Sequence, residues 1–147
     1  MLESIFSPFS NVGLLILRLA MGIIFITHGW PKLNPNGPMK GPAGMGGFLK
    51  QMGVPLPMFF AWVVALLETI GAGLLILGLG TRLLAVGFAM IMLVAIFLAK
   101  RRFMKVGFVG QQATGWEFDF MVLAGAIALL FMGAGSIALD AVLRLSF

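Results

Sequence analysis

The stretch Pro57–Leu79, PMFFAWVVALLETIGAGLLILGL, decides the fold, because it is long and apolar enough to cross a membrane. Crossing the hydrocarbon takes about 20 mostly apolar residues. The only charged residue in this stretch, Glu68, lies near its middle. Since a carboxylate is costly to bury in hydrocarbon unless it is paired or protonated, the stretch predicts a transmembrane helix in which Glu68 needs a partner.

The composition of the whole chain agrees with a membrane protein. Of the 147 residues, 61% are hydrophobic and 10% are charged, and the mean hydropathy is +1.08. A soluble domain is typically about 25% charged. The net charge of +5 comes from basic residues at the ends of apolar runs. This pattern indicates contact with the lipid bilayer and excludes a nucleic-acid-binding stripe.

Four apolar runs predict four membrane helices, since lipid leaves backbone polar groups no partner outside a helix. The fold class is therefore an all-α, integral membrane, four-helix transmembrane bundle, forming a single domain over residues 1–147. The predicted spans are about 12–28, 57–79, 82–98 and 116–133. A Gly/Pro-rich stretch, 30–47, and a short amphipathic piece, 48–52, are expected between the first two spans.

The distribution of Lys and Arg predicts the orientation. The two long loops carry seven basic residues, and the opposite face carries only Arg82 and Arg144. The positive-inside rule places both long loops in the cytoplasm and both termini outside, in the cytoplasmic (inner) membrane of a prokaryote. The seven are Lys32, Lys40, Lys50, Lys100, Arg101, Arg102 and Lys105.

Arg18 is the expected partner of Glu68. Measured from His28 and from Pro57, the two residues lie about 15 and 16 Å into their helices, which places them at similar depth. Gly22 and the small residues around Glu68 allow the helices to approach closely. The sequence predicts a buried Arg18–Glu68 ion pair, which serves either function or only helix register.

A polar mouth above that pair is predicted from His28, Lys32, Glu117 and Asp119. Imidazole titrates near neutral pH, so His28 could transfer protons or bind a ligand, or it could simply offset the helix dipole. Glu117 matches a capping box that starts at Thr114, which is a purely structural alternative. Asp119 points away from Glu117, so one of these acids should face His28 and Lys32.

Other residues exclude some kinds of site and leave others open. The chain has no cysteine and one histidine, so a cysteine-based redox or zinc site is excluded within it and no metal site is predicted. Asp140 is expected to pair with Arg144 or with Arg82, in a structural role.

Several motifs together resemble the DoxX family of small membrane proteins. Each is short, but they occur in order along nearly the whole chain. The family's Pro-Gly-Arg turn is replaced here by Gly133-Ala134-Gly135. The motifs are Arg18-Leu-Ala-Met-Gly22, His28-Gly29-x-x-Lys32-Leu33, Glu68-x-x-Gly71-x-Gly73, Gly78-Leu-Gly80-Thr81-Arg82-Leu83, Gly115-x-Glu117, Gly135-Ser136 and Leu139-Asp140.

The resemblance implies a four-helix membrane bundle and an association with redox complexes. Members resemble the small subunit of a thiosulfate:quinone oxidoreductase, and others associate with membrane oxidoreductases in redox stress. Distant relatives include a eukaryotic cargo receptor. The resemblance therefore leaves open oxidoreductase or redox-stress partner subunits, a homo-oligomer, and a quinone as the cofactor, while the cofactor itself stays unassigned.

The sequence leaves three functions open, and it does not establish whether the chain is itself an enzyme. The first is a small subunit of a quinone-linked membrane oxidoreductase complex, with protons moving through His28 and the nearby acids. The second is a non-enzymatic assembly or scaffold subunit. The third, a small-molecule or proton carrier, is the least favoured because no pair of broken helices is evident.

Overall fold

The computed structural model of the protein describes residues 9–110 and 114–145, and it is all-helical within those ranges. Four long helices form a bundle, and two short helices cover its ends. They are α1 (Ser10–Leu33), α2 (Gly41–Gln51), α3 (Pro57–Leu77), α4 (Thr81–Phe103), α5 (Glu117–Met132) and α6 (Leu139–Val142).

Three of the described helices are long and apolar enough to cross a membrane: α1, α3 and α4. The fourth predicted span corresponds to α5, which has 16 residues. A helix of that length covers about 24 Å, less than the roughly 30 Å of a typical hydrocarbon core. The predicted all-α membrane fold is confirmed, with one bundle helix shorter than a full span.

The bundle consists of two tightly packed helix pairs, α1 with α3 and α4 with α5. Its core is apolar, and the rings of Phe25 and Phe88 stack at its centre with their centroids 4.0 Å apart. Gly125 on α5 lies against Met21 on α1, where a Cβ would approach the sulfur to 2.9 Å. Small residues at such contacts let helices approach closely when lipid supplies no hydrophobic driving force.

The two ends of the bundle differ, and we name them by their connections. The short-loop end holds the turn 78–80 and the segment 133–138. The long-loop end holds the segments 34–40, 104–110 and 114–116 together with α2. α2 packs on α3 through Met45, Leu49 and Ala61, which form a second, smaller apolar cluster.

Two helices run further than the sequence predicts. α1 continues through Pro31 to Leu33 rather than ending at His28. Pro31 has no N–H, so the backbone hydrogen bond to the carbonyl oxygen of Thr27 is absent in this turn, yet the helix continues past it. α4 continues to Phe103 rather than Leu98, so three basic residues expected in a loop, Lys100 to Arg102, extend the helix instead.

The first connection is also more ordered than expected. The amphipathic piece predicted at 48–52 is the end of α2, which begins at Gly41 inside the Gly/Pro-rich stretch. Pro42 occupies the first turn, where the missing N–H is not needed. Gly46 is buried against Met58, so packing on α3 overrides the low helix propensity of glycine.

Candidate functional site

The predicted Arg18–Glu68 ion pair is wrong, although both side chains are buried. Arg18 is 0% exposed and Glu68 is 2% exposed. Gly29, not Arg18, lies beside Glu68, while Arg18 lies beside Gly78 at the opposite end of α3. Positions 18 and 29 are about 16 Å apart along a helix, which is too far for a direct contact.

The error in depth has a physical cause. The predicted pairing requires His28 and Pro57 to lie at the same level in the membrane. In the structure α1 continues past His28, and the first turns of α3 extend beyond it to pack on α2. The register between the two helices is therefore shifted by several turns.

Lys32 is the partner of Glu68. Its Nζ donates to Glu68 Oε2 in an ion pair that joins α1 to α3. The side chain of Lys32 is 14% exposed and that of Glu68 is 2% exposed. The ammonium therefore reaches from the edge of the bundle to a carboxylate that lies inside it.

Gly29 makes this contact between helices possible. A methyl group at Gly29 would lie 2.7 Å from Glu68 Cβ and 2.9 Å from its carbonyl oxygen. Because Gly29 has no side chain, the backbones touch there, and Lys32 falls on the same face one turn later. The sequence signal was the Gly29-x-x-Lys32 spacing, which the depth argument passed over.

Glu68 lies on a π-helical turn, Leu67–Gly71, within α3. Such single-turn interruptions of an α-helix are rare and occur frequently at functional sites. The turn faces α4 as well, where Leu67 packs against Gly87. The carboxylate thus occupies an irregular part of a membrane helix.

His28 lies beside this pair on the surface of α1. It is exposed, and it directly precedes Gly29, the residue that contacts Glu68. Its Nδ1 lies 2.8 Å from the carbonyl oxygen of Ile24, so Nδ1 carries the hydrogen and donates it. This tautomer leaves Nε2 to accept a proton or a ligand hydrogen bond. The imidazole also stacks on Phe118 of α5, with ring centroids 5.7 Å apart.

The two acids of the predicted mouth lie apart from Lys32. Asp119 is buried and pairs with Lys100 of α4, 2.6 Å away. Lys100 also donates to the carbonyl oxygen of Gly115 at 2.6 Å. This contact fixes the start of α5 against α4, so Asp119 does not face Lys32 as one alternative predicted.

Glu117 does not form the predicted capping box. α5 begins at Glu117 with Trp116 as its N-cap residue, so Thr114 lies too early in the chain to cap it. The backbone N–H of Glu117 instead donates to the carbonyl oxygen of Phe108 at 3.1 Å. Its Oε2 atom is buried without a hydrogen-bond partner among the described residues.

Arg18 holds the short-loop end together. Its guanidinium donates to the carbonyl oxygens of Ile76 and Ile137, which joins α1 to α3 and to the segment before α6. Gly78 leaves the space that the guanidinium fills, since a Cβ there would lie 1.9 Å from Nη1. Asp140 provides the compensating negative charge.

Asp140 has a role that the sequence argument missed. Its two carboxylate oxygens accept hydrogen bonds from the backbone N–H groups of Gly80 (2.7 Å) and Thr81 (2.9 Å). It therefore caps the N-terminus of α4 from a distant part of the chain. The pairing expected with Arg144 relied on nearness in sequence, and the one expected with Arg82 relied on a position at the same end of the bundle. Neither indicated that Asp140 would bind the backbone of Gly80 and Thr81.

The described residues include no group of three or more His, Cys, Asp or Glu side chains that could hold a metal ion. Lys32, Glu68 and His28 bring an ammonium, a carboxylate and an imidazole to one region of the long-loop end. We call Lys32, Glu68 and His28 the polar site.

Comparison with known proteins identifies the family. The DoxX family model matches residues 13–101, which cover all of α3 and most of α1 and α4 and include the buried residues Arg18 and Glu68. The chain belongs to the DoxX family. All three residues of the polar site lie within the part that matches the DoxX model.

The chain is similar to proteins from Bacillus subtilis and Escherichia coli. The chain is 37% identical to "Putative oxidoreductase CatD" of Bacillus subtilis, over 88% of this chain and 86% of that protein. It is 34% identical to inner membrane protein YqjF of Escherichia coli, over 91% and 94% of the two chains. It is 32% identical to inner membrane protein YphA of the same organism, over 88% and 89%. No solved structure shows a significant match to the chain.

Proposed function

We propose that the chain is a small subunit of a quinone-linked membrane oxidoreductase complex and that the polar site interacts with the quinone head group. The observation that carries the proposal is Glu68, a buried carboxylate on a π-helical turn that holds Lys32 at the edge of the bundle. The name of the relative CatD, which describes an oxidoreductase, supports the redox part of the proposal.

The polar site has the donors and acceptors that a quinone head group needs. A quinone bound there would take two electrons from a partner subunit and two protons from its surroundings. Lys32 would donate a hydrogen bond to a quinone oxygen, and Glu68 would position Lys32 through their ion pair. His28, whose Nδ1 hydrogen is held by Ile24, would transfer a proton through Nε2.

Binding of a short-chain quinone to the protein in nanodiscs tests the proposal. The quenching of fluorescence from the three tryptophans reports occupancy. We expect saturable binding, and we expect Lys32→Met and His28→Ala to weaken it at least tenfold. Lys50→Met is the matched control, because Lys50 is an exposed lysine at the same end of the bundle.

Two outcomes would contradict the quinone site. One is the absence of saturable quenching by any quinone, and the other is equal weakening by Lys32→Met and Lys50→Met. Since Lys32→Met leaves Glu68 buried without its partner, its folding has to be checked by thermal unfolding. His28 is exposed, so His28→Ala keeps the test informative even if Lys32→Met does not fold.

A second candidate function is that of a non-enzymatic assembly subunit. It is favoured by the architectural contacts of the buried charges, since Arg18 and Glu68 each bind a different helix or segment. In that case Glu68→Ala would reduce the amount of assembled complex, while activity per assembled complex would stay unchanged. The quinone proposal instead expects the activity per complex to fall.

The carrier function is the weakest of the three. The polar site lies toward the long-loop end of the bundle and Arg18 toward the short-loop end, and the apolar core between them includes the stacked Phe25 and Phe88. A path for a polar substrate would have to open this core. The intact packing gives no support to alternating access.

We also propose that the long-loop end faces the cytoplasm of a bacterial inner membrane. The two relatives from Escherichia coli are named inner membrane proteins. The basic residues of the long-loop end, counted above, support the orientation through the positive-inside rule. The polar site would then face the cytoplasm, where an oxidoreductase partner subunit could supply electrons.

A further inference from the structure

We propose that the seam between the C-terminal end of α4 and the start of α5 binds an anionic phospholipid through Arg101, Arg102 and Lys105. This site lies outside the polar site, and the proposal does not depend on the redox function. It rests on the charges, the exposed aromatic rings and the fixed geometry of this seam.

The charges at the long-loop end are unbalanced. Two of its basic side chains, Lys32 and Lys100, form ion pairs with Glu68 and Asp119. Five others are exposed: Lys40, Lys50, Arg101, Arg102 and Lys105. Among the described residues at this end, Glu117 is the one acid outside those ion pairs, and it is half-buried. Excess positive charge therefore collects around the end of α4.

Arg101 is held in position at the seam. Its guanidinium lies 5.3 Å from the ring centroid of Phe97 on α4 and 5.8 Å from that of Trp116 beside α5. The neighbouring Lys100 binds Asp119 and the carbonyl oxygen of Gly115, which fixes the two helices against each other. An arginine held by cation–π contacts can still direct its N–H groups at phosphate oxygens, which its forked guanidinium binds well.

Three exposed aromatic rings lie at the seam, as expected of a surface at the boundary between head groups and acyl chains. Phe97 is 54% exposed, Phe103 is 43% exposed and Phe108 is 47% exposed. Phe108 also packs edge-on against Trp116, with centroids 4.6 Å apart. Aromatic rings beside basic residues at the end of a membrane helix are typical of the bilayer interface. This setting favours a lipid over an acidic soluble protein. A lipid would cover the exposed rings with its acyl chains, whereas a soluble acidic protein would bind the basic residues alone.

The phosphate of the lipid would lie against Arg101 and Arg102, with Lys105 adding a third positive charge. Each basic residue near an anionic membrane surface raises the affinity for it about fivefold. A phospholipid with a net negative charge, such as phosphatidylglycerol, is therefore favoured over zwitterionic phosphatidylcholine.

Native mass spectrometry of the detergent-solubilised protein tests the site. The probes are phosphatidylglycerol, phosphatidylcholine and inorganic phosphate, each titrated separately. We expect the wild type to retain phosphatidylglycerol in preference to phosphatidylcholine. Millimolar inorganic phosphate should not displace the bound phosphatidylglycerol. Arg101→Gln should weaken phosphatidylglycerol binding about fivefold, and Arg101→Gln with Arg102→Gln should weaken it further.

Arg144→Gln is the matched control, because Arg144 is an exposed arginine at the short-loop end. Equal effects of Arg101→Gln and Arg144→Gln would overturn the site, as would equal retention of the two phospholipids. Competition by inorganic phosphate alone would indicate a general anion site instead of a lipid site. Binding of an acidic protein that Arg101→Gln abolishes, without any lipid preference, would assign the seam to a protein partner.

Thermal unfolding in lipid-free detergent separates loss of binding from loss of folding. Arg101→Gln keeps the Lys100–Asp119 pair, so we expect it to unfold at the wild-type temperature. A stabilisation by phosphatidylglycerol that appears in the wild type and is reduced in Arg101→Gln would provide a second measure of the same site.

Discussion

Arg18 and Glu68 are the two fully buried charges of opposite sign on α1 and α3, and each has its own local partner. Glu68 binds Lys32, and Arg18 binds two backbone carbonyl groups near Asp140. The two partners of the Lys32–Glu68 pair differ in exposure. A lysine that loses its partner can reach the head-group region, whereas Glu68 has no such route to water.

This asymmetry predicts the outcome of a double-mutant cycle. Lys32→Ala should cost about 3–5 kcal/mol of unfolding free energy, because it leaves an unpaired buried carboxylate. Glu68→Ala should cost less, since the released Lys32 side chain can turn toward the membrane surface. The double variant should be more stable than Lys32→Ala alone. Equilibrium unfolding in detergent measures the three values, and equal costs for the two single variants would argue against this explanation.

Alanine substitution at Gly78 and at Gly80 tests how closely the side chains pack at the short-loop end. Both have positive φ, +70° and +67°, so alanine is strained at either position. A Cβ at Gly78 would also meet Arg18 and Ala138, whereas a Cβ at Gly80 has nothing within 4 Å. Gly80→Ala should cost about 1–2 kcal/mol from the left-handed backbone. Gly78→Ala should cost clearly more and displace Arg18, which the difference in melting temperature between the two variants would show.

At the scale of elements, close contact between α1 and α3 determines where the polar site lies. Gly29 touches the backbone of the π-helical turn, and this contact sets the register that brings Lys32 to Glu68. The predicted register between α1 and α3 was wrong because it was measured from the expected helix ends. Capping and packing decide where a helix ends, and the sequence alone did not reveal them. Asp140, which caps α4 across the short-loop end, shows the same dependence on tertiary contacts.

Alanine substitution at two glycines of α1 tests this contact. At Gly29 a Cβ would meet Glu68 at 2.7–2.9 Å, including backbone atoms, so the helices would have to separate. At Gly13 of the same helix nothing lies within 4 Å. Gly29→Ala should therefore lower the melting temperature in detergent and weaken the Lys32–Glu68 pair, while Gly13→Ala should be neutral or slightly stabilising through its higher helix propensity. A similar response of the two variants would mean that α1 and α3 do not approach closely at Gly29.

At the scale of the whole molecule, the bundle has a polar group of residues at each end and an apolar centre. Glu68, Lys32 and His28 lie toward the long-loop end, and Arg18 and Asp140 lie at the short-loop end. The stacked Phe25 and Phe88 belong to the core between them. This distribution makes each end a separate site and assigns the proposed chemistry to one side of the membrane.

The proposed orientation can be tested with single cysteines, because the chain has no cysteine of its own. Asn36→Cys marks the long-loop end and Val142→Cys marks the short-loop end; both residues are exposed and uncharged, so the count of basic residues is unchanged. In intact cells with a permeable outer envelope, a membrane-impermeant maleimide should label Val142→Cys alone. After the cells are lysed, it should label both. The reverse pattern would invert the proposed topology.

The sequence by itself determined that this is an all-helical membrane protein, because the length and apolarity of its runs leave the backbone no other way to satisfy its hydrogen bonds. It also determined that Arg18 and Glu68 are buried and that a tight turn at Gly78 joins two helices. The pairing of those charges was decided only by tertiary structure. Which carboxylate meets which cation depends on helix register, and that register is set by contacts such as Gly29 on Glu68 and Asp140 on Gly80, between residues distant in the chain.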